Sequence, residues 1–305
     1  MSTLRVLMPS WSQTGASPDF RQWLARGDRV ADVQNVRATV LRELFHFAGD
    51  TIPVAALRHF CHADAACEGA WLCADPAWVR SEATGARLMA CPLADLGEAE
   101  AATLGQALQP LFAEAGTPLG VDTPAAWCVR TTAAMPAVAW VDPVTALGAN
   151  LLDCLPAGVA GRPWRRLFSE TQVLLHAQPA NAARIAAGKH PVNALWFWGA
   201  GALPASVETG VQVVASVDDT LRGLAKLGGA LRLEPLPAAL ESDGRTGAVL
   251  LDLDVPGQAC AASDWLEPFR RWLRERRFDA IEFAFASGEC LRVRPGHRLR
   301  FWRRP

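Results

Sequence analysis

The sequence predicts an α/β protein with a mostly parallel or mixed sheet flanked by helices and a β-hairpin near its carboxyl terminus. Short apolar runs of strand length alternate with longer segments in which apolar residues recur at helical spacing. In the last third of the chain, strands and helices alternate, which is typical of parallel strands joined by crossover helices. Half of the 305 residues are apolar and the net charge is −1, so the chain is long enough to bury a large core.

The first half contains short predicted strands and two longer helices. Apolar runs at residues 4–8, 71–73, 87–90 and 127–130 predict the strands. One helix is predicted from Asp32, with apolar residues at helical spacing up to Phe45. A second begins at Asp95 and ends at Gly116, a residue type that favours helix termination. Residues 131–161 are rich in proline and glycine and are expected to form loops.

The second half is more regular. A helix with Pro163 in its first turn is expected to end near His176, because Pro179 cannot continue it. A short helical turn follows, and a strand at residues 195–198 leads into a predicted Gly-x-Gly turn. Further strands are predicted at residues 211–217 and 249–253, with a hairpin over residues 281–293. The helices between them begin at Asp218 or Asp219 and at Ser263.

No linker is evident, so one compact unit over residues 1–305 is expected. Three tentative lobes are an N-terminal α/β part at 1–92, a ligand-binding part at 93–205 and a C-terminal α/β part at 206–305. No apolar run reaches the about 18 residues that cross a bilayer, and the first residues lack the apolar core of a secretory signal. We therefore expect a cytoplasmic protein with no membrane partner, whose eight cysteines are free thiols.

Residues 176–204 combine polar groups and glycines in a pattern suited to a small anionic ligand. Arg184 has a planar guanidinium that matches phosphate or carboxylate, and Asn181 lies on the same face of the predicted turn. Closely spaced glycines expose backbone N–H groups that bind anions. The alternative is structural: the asparagines cap turns, the glycines turn the chain and Arg184 is solvated. The candidate ligand residues in this stretch are His176, Asn181, Arg184, Asn193, Trp198, Gly199 and Gly201.

The same stretch resembles the cofactor-independent, archaeal-type phosphoglycerate mutases. HAQPANAAR is similar to their His-Pro-x-Asn-x-x-Arg run, with one additional residue between histidine and proline. GKHPVN, ending at Asn193, and WGAGALP, beginning at Trp198, are similar to the elements that follow. The resemblance covers roughly residues 93–235 and implies that Arg130 and Asp142 line the same cleft as Arg184. The whole chain also resembles RpfE-type regulatory proteins in AWLCADPAWVR, WRRLFSETQVLLH and RFWRRP.

The resemblance implies a reduced alkaline-phosphatase-like core, but several catalytic motifs of that superfamily are absent. Its phosphoryl transfer needs two metal ions held by Asp and His and a serine that takes the phosphoryl group. The opening Asp-Gly-x-Gly-Asp is replaced by LRVLMPSWSQTG, with Ser10 and Ser12 but no adjacent acid. Gln258 stands where a histidine would follow Asp254, and no Gly-Asp-His-Ser run occurs near the end.

These departures favour a protein that binds a phosphorylated or carboxylated metabolite in a regulatory role, with no metal or other cofactor. The alternative is an active mutase or phosphotransferase that binds manganese or zinc through a divergent set of Asp252, Asp254 and histidines. The two acids are two residues apart, so on a strand they face the same way and suit one cation. Otherwise they are solvated acids at the end of a strand.

Two further patterns are weaker. His59, Cys61, His62, Cys67 and Cys73 cluster in sequence, but their intervals do not match a zinc knuckle, so buried thiols are favoured. The segment from Arg270 onward has eleven arginines and four acidic residues. Nucleic-acid binding is disfavoured there, because most of these arginines alternate with apolar residues, as on a solvated outer face.

Overall fold

The computed structural model describes residues 2–62, 68–83, 85–131, 137–243, 247–255, 262–300 and 303. The strands are β1 (Thr3–Met8), β2 (Asp28–Asp32), β3 (Phe45–His46), β4 (Ala70–Glu82), β5 (Gly85–Ala90), β6 (Leu119–Thr123), β7 (Ala126–Thr131), β8 (Ala194–Ala202), β9 (Glu208–Thr209), β10 (Val211–Ala215), β11 (Leu231–Leu233), β12 (Ala248–Asp252), β13 (Ala280–Phe285) and β14 (Glu289–Val293). The α-helices are α1 (Pro18–Ala25), α2 (Val36–Leu44), α3 (Val54–His62), α4 (Glu98–Glu114), α5 (Pro143–Ala146), α6 (Leu151–Cys154), α7 (Arg162–His176), α8 (Pro179–Ala186), α9 (Asp219–Leu227), α10 (Pro237–Asp243) and α11 (Ala262–Arg274). A 3-10 helix spans Pro295–Leu299.

Contacts divide the chain into two compact units, one made of Met1–Gly49 with Pro204–Pro305 and the other of Asp50–Leu203. The second boundary lies close to the lobe boundary at residue 205 that the sequence suggested. The first does not coincide with the suggested break at residue 92, because β4 pairs with β7 and β8 and so belongs with the residues that follow it. The amino-terminal segment instead pairs with strands from the last third of the chain.

The first unit contains a seven-stranded sheet with the order β11-β10-β12-β1-β13-β14-β2. The first five strands are parallel, and β14 is antiparallel to both β13 and β2. Apolar residues spaced three or four apart on α11, among them Phe269 and Trp272, pack with Phe20 and Trp23 of α1 in the core of this unit. The predicted mixed sheet flanked by helices is confirmed here.

The second unit is built on an antiparallel sheet. The long strand β4 pairs with both β7 and β8 in its first half and with β5 in its second half, and β6 continues the sheet beyond β7. Helices α4 and α7 bury Leu104, Leu108, Phe112, Leu167 and Phe168 in the core of this unit. Helix α3 also contacts β4, β7 and β8.

Several elements differ from the sequence-based prediction, and α5 and α6 are short helices in the region that was expected to form loops. The helix predicted from Asp32 begins at Val36, because residues 28–32 form β2 and pair with β14. Helix α3 was not predicted, since its buried residues Ala55, Ala56 and Leu57 are consecutive and show no helical period. Strand β6 was not predicted either: it pairs with β7 and has only one fully buried residue, Leu119.

Expectations drawn from composition are partly addressed by the structure. The six cysteines among the described residues are free thiols, with Cys73 and Cys128 buried, whereas Cys67 and Cys260 lie outside the described residues. Within the described parts of the chain, no helix is long and apolar enough to span a membrane.

Candidate functional site

Arg184, the central residue of the predicted anion site, is buried in the second unit with 1% of its surface exposed. Its Nη2 donates to Asp95 Oδ1 at 2.7 Å, and its Nη1 donates to Glu100 Oε2 at 3.0 Å. Its Nε donates to the backbone oxygen of His190 at 2.9 Å. The guanidinium thus ties α8 to the start of α4 and to the segment before β8. The solvated alternative is wrong, and the anion-binding role stays a prediction.

The two predicted asparagines hold backbone segments together. Asn181 is buried, donates to the oxygens of Leu175 and Val192 at 2.7 Å each, and accepts from the N–H of Val192 at 2.9 Å. Asn193 accepts from the N–H of Val79 at 2.8 Å and donates to its oxygen at 2.7 Å. Both amides therefore serve the kind of structural role that the alternative interpretation assigned to them.

The predicted Gly-x-Gly turn is wrong, because β8 continues through both glycines and pairs with β4, where Gly201 is opposite Trp71. The register of the pairing shifts at this point, and Gly199 has φ of +65°. A Cβ atom on Gly199 would lie 2.9 Å from Val54 Cβ, and one on Gly201 would lie 2.5 Å from Pro53 Cβ. The glycines thus form a bulge and admit the start of α3 to the strand.

The other predicted residues occupy separate positions in the second unit. Asp142 accepts hydrogen bonds from the first turn of α5 as its N-cap. The indole Nε1 of Trp198 donates to Asp75 Oδ2 at 2.8 Å. His176 is exposed at the end of α7, and Arg130 is exposed near the end of β7.

Arg130 and Gly201 are the members of the predicted set that the sheet brings together. Both are in register with Trp71, Arg130 on β7 and Gly201 on β8. The side chains of Asp142, Asn181, Arg184, Asn193 and Trp198 instead form hydrogen bonds within the second unit.

Replacing Arg184 with alanine is expected to lower the free energy of unfolding by about 2 kcal/mol. The loss is smaller than for a fully buried ion pair, because Asp95 and Glu100 are 48% and 30% exposed and can be rehydrated. Urea denaturation measures the change, with the exposed Arg130→Ala as the matched control that should change stability little. Equal stability of the two variants would contradict a structural role for Arg184.

A second polar cluster lies in the first unit, where β10 and β12 end at the same edge of the parallel sheet. Ligand sites of open α/β sheets form at this carboxyl edge. Asp252 is the last residue of β12, and Ser216 directly follows β10. Both side chains are completely buried. The solvated-acid interpretation is therefore wrong for Asp252.

Arg37, on α2, is the counter-charge of Asp252. Its Nη1 donates to Asp252 Oδ1 at 2.9 Å and its Nη2 donates to Oδ2 at 3.0 Å. The Ser216 hydroxyl donates to Oδ2 at 2.7 Å, and the N–H of Asp254 donates to Oδ1 at 3.2 Å. A carboxylate has about four lone-pair sites, and these four hydrogen bonds occupy them.

The guanidinium also interacts with the neighbouring acidic residues. Nη2 lies 3.4 Å from Asp218 Oδ2, and Nη1 donates to the backbone oxygen of Asp254 at 3.2 Å. Burial alone lowers the pKa of Arg37, but the carboxylates of Asp218 and Asp252 outweigh it and raise that pKa above its ordinary value. Burial raises the pKa of Asp254. The cation at this edge is therefore a guanidinium that stays protonated.

The two-metal arrangement implied by the resemblance does not fit these side chains. Asp252 has no lone pair left for a metal ion, and Arg37 holds a positive charge next to it. Among the described residues, no group of metal-binding side chains with donor atoms in mutual reach includes Asp218, Asp252 or Asp254. Gln258, at the expected histidine position, lies outside the described residues.

The arginine-rich carboxyl-terminal segment is partly neutralised within the first unit. Several of its arginines form ion pairs: Arg270 with Glu267, Arg271 with Glu241, Arg292 with Glu282, and both Arg300 and Arg303 with Asp28. These contacts reduce the positive charge of the segment that faces solvent. That nucleic acid is not a partner stays a prediction.

Comparison with known proteins relates the chain to one group of enzymes. No family model matches the sequence. It is 31% identical over 127 residues to a 2,3-bisphosphoglycerate-independent phosphoglycerate mutase of Methanosarcina barkeri, covering 39% of this chain and 29% of that protein. A probable enzyme of the same name from Geobacter sulfurreducens is 28% identical over 134 residues, 42% of this chain and 31% of that protein. The chain thus spans less than a third of the length of these curated relatives.

Solved structures give a fold-level match. The PH0037 protein from Pyrococcus horikoshii matches with a TM-score of 0.50 and 10% identity, over 96% of this chain and 87% of that chain. The cofactor-independent phosphoglycerate mutase from Thermoplasma acidophilum has a TM-score of 0.44 and 12% identity, over 97% of this chain and 90% of that chain. The similarity in sequence to cofactor-independent phosphoglycerate mutases is confirmed over about two fifths of the chain. The similarity to RpfE-type proteins stays a prediction.

Proposed function

We propose that this chain is a phosphoglycerate-mutase-like protein that lacks the metal-dependent catalytic site and binds a small phosphorylated or carboxylated metabolite in a regulatory role. One observation carries the first part: Arg37, Ser216 and the backbone of Asp254 occupy the acceptor sites of Asp252. A regulatory role follows from the RpfE-type resemblance and would make turnover unnecessary.

The ion pair between Arg37 and Asp252 also makes metal binding energetically unfavourable. A metal ion at Asp252 would have to displace Arg37 from a carboxylate with no solvent exposure. Separating a buried ion pair costs about 3–5 kcal/mol, and the guanidinium would then need a new partner. Two-metal phosphoryl transfer also requires open coordination positions for the attacking and leaving oxygens. The geometry at Asp252 therefore favours binding without turnover.

The class of metabolite is suggested by the relatives, whose names specify phosphoglycerate. Among the predicted ligand residues, Arg130 combines a guanidinium with an exposed position, at the end of β7. A guanidinium binds phosphate or carboxylate through paired hydrogen bonds. We therefore infer that Arg130 contacts the anionic group of the metabolite.

Two assays test the proposal. Interconversion of 3-phosphoglycerate and 2-phosphoglycerate is followed with magnesium, manganese or zinc added, beside an active archaeal mutase as positive control. We expect no metal-dependent turnover. Calorimetry with 3-phosphoglycerate is expected to give saturable binding, which Arg130→Ala weakens about tenfold or more, while the exposed Arg166→Ala leaves it unchanged.

Each half of the proposal has its own contrary result. Metal-dependent turnover that Asp252→Asn abolishes would contradict the first half and favour the alternative, an active mutase or phosphotransferase with a divergent metal site. Absence of binding for 3-phosphoglycerate and for a panel of phosphorylated and carboxylated metabolites would contradict the second half.

A further inference from the structure

Another polar cluster, distinct from that of Arg37 and Asp252, lies in the second unit where α3 contacts β4, β7 and β8. On α3, Arg58 makes a bidentate ion pair with the buried Asp75 of β4, at 2.8 and 3.0 Å. The next residue on α3, His59, turns to a different pair of side chains. The proposed function uses none of these groups.

His59 meets Asp122 of β6 and Cys128 of β7. Its Nδ1 lies 2.9 and 3.0 Å from the two carboxylate oxygens of Asp122 and 3.5 Å from Cys128 Sγ. Cys128 Sγ lies 3.3 Å from Asp122 Oδ2. Imidazole, carboxylate and thiol donor atoms thus come from three different elements and lie within 4.8 Å of one another.

The sheet brings the three donors together. Cys128 is in register with Gly120, and the pairing of β6 with β7 shifts register at Asp122. A Cβ atom on Gly120 would lie 4.0 Å from Asp122 Oδ1, which places the Asp122 carboxylate on the same side as position 120. A Cβ atom on Gly120 would lie 3.1 Å from Cys128 Sγ, so the glycine makes room for the thiol. The imidazole of His59 stacks on Trp71 at 3.9 Å, which holds the ring in place.

We propose that His59, Asp122 and Cys128 bind one zinc ion, with water as the fourth ligand. In a tetrahedral site with Zn–N and Zn–O bonds of about 2.0 Å and a Zn–S bond of about 2.3 Å, donor atoms lie about 3.3–3.5 Å apart. The observed separations of 2.9, 3.3 and 3.5 Å need only small adjustments to match. A thiolate beside an imidazole selects zinc over magnesium or calcium.

Exposure and charge support an open zinc site. The side chains of His59 and Asp122 are 22% and 12% exposed, so solvent reaches the position of a fourth ligand. The nearby Arg58 is neutralised by Asp75. A zinc ion would in turn be neutralised by the Asp122 carboxylate and the Cys128 thiolate. Cys128 would bind as a thiolate, and its proton would be released to solvent as the Zn–S bond forms.

Cobalt substitution tests this site directly. The purified full chain is stripped with a chelator and titrated with Co²⁺, then with Zn²⁺. We expect one cobalt per chain, with intense visible bands from tetrahedral geometry and a near-ultraviolet sulfur-to-cobalt band, both displaced by zinc. Cys128→Ser should abolish the sulfur band and weaken zinc binding at least about 100-fold, more than the loss of an outer-shell partner.

Two further variants keep the test interpretable. Cys154→Ser removes a half-buried thiol elsewhere in the same unit and should leave the spectrum unchanged. Asp122→Asn keeps the size of the side chain and should weaken zinc binding, with circular dichroism verifying that the metal-free variant is folded. A wild-type chain that binds no stoichiometric cobalt or zinc, or a sulfur band that survives in Cys128→Ser, would overturn the proposal. The proposed function is tested at Asp252 and Arg130, so the two proposals can fail separately.

Discussion

Replacing Arg37 with alanine is expected to lower the free energy of unfolding by about 3–5 kcal/mol. The partner, Asp252, is completely buried, so the substitution leaves a carboxylate without its counter-charge. The hydroxyl of Ser216 and the N–H of Asp254 would still donate to it, but neither carries a full charge. Such a loss is a large fraction of the stability of an ordinary domain.

A double-mutant cycle separates the ion pair from simple loss of packing. In the Asp252→Asn background the buried charge is absent, so Arg37→Ala should cost much less than it does in the wild-type chain. Urea denaturation at neutral pH, followed by circular dichroism, measures all four proteins. Arg29→Ala, which removes an exposed arginine paired with Asp32 in the same unit, serves as the control and should have little effect. Equal costs of Arg37→Ala in both backgrounds would contradict the assigned ion pair.

The sequence alone predicts the acidic residues of the Arg37–Asp252 cluster but not its arginine. Asp252 and Asp254 follow an apolar run, and that pattern alone predicts acids at the end of a buried strand. It does not predict Arg37, which precedes Asp252 by 215 residues and lies on a surface-type amphipathic helix. The pairing of β1 with β12 and of β2 with β14 brings these distant parts of the first unit together. A buried acid at a strand end requires a counter-charge, but its identity is a tertiary property.

The helices show the same division between local and tertiary information. Helix α7 was predicted with nearly its observed bounds, because its apolar spacing and the proline in its first turn are local signals. Gly199 and Gly201 also have a local signal, and it is typical of a turn. Their role as a bulge depends on β4 as pairing partner and on α3 as neighbour, neither of which the local sequence specifies.

The proposed zinc ligands have no signature in the local sequence. His59 lies beside cysteines close in sequence, whereas its contacts are with Asp122 and Cys128, the second of them 69 residues away. Cys128 and Asp122 are six residues apart on two paired strands, a spacing without a metal-binding signature. The pairing of β6 with β7 would have been the necessary signal, and β6 has too few buried residues to be recognised as a strand.

Asp75→Ala is expected to destabilise the second unit by about 3–5 kcal/mol, because it removes the counter-charge of Arg58. Asp75 is completely buried and accepts four hydrogen bonds: two from Arg58, one from the N–H of Trp127 and one from the indole of Trp198. Its loss therefore removes the carboxylate acceptor of a largely buried guanidinium and of two further donors.

The hydrogen bonds of Asp75 with Arg58 and Trp198 hold α3 and β8 to β4, so the loss of local stability should be greatest in α3 and β8. Hydrogen exchange resolved by segment is expected to show faster exchange in α3 and β8 of Asp75→Ala than in the wild-type chain, with α11 of the other unit unchanged. Asp153→Ala, which removes an exposed carboxylate from α6, is the matched control and should exchange like the wild type. Asp75→Asn retains the shape of the side chain but not its charge, so the exchange rates of its α3 and β8 should lie between those of the wild type and of Asp75→Ala. If Asp75→Ala exchanged like Asp153→Ala, apolar packing and not this buried ion pair would hold α3 against the sheet.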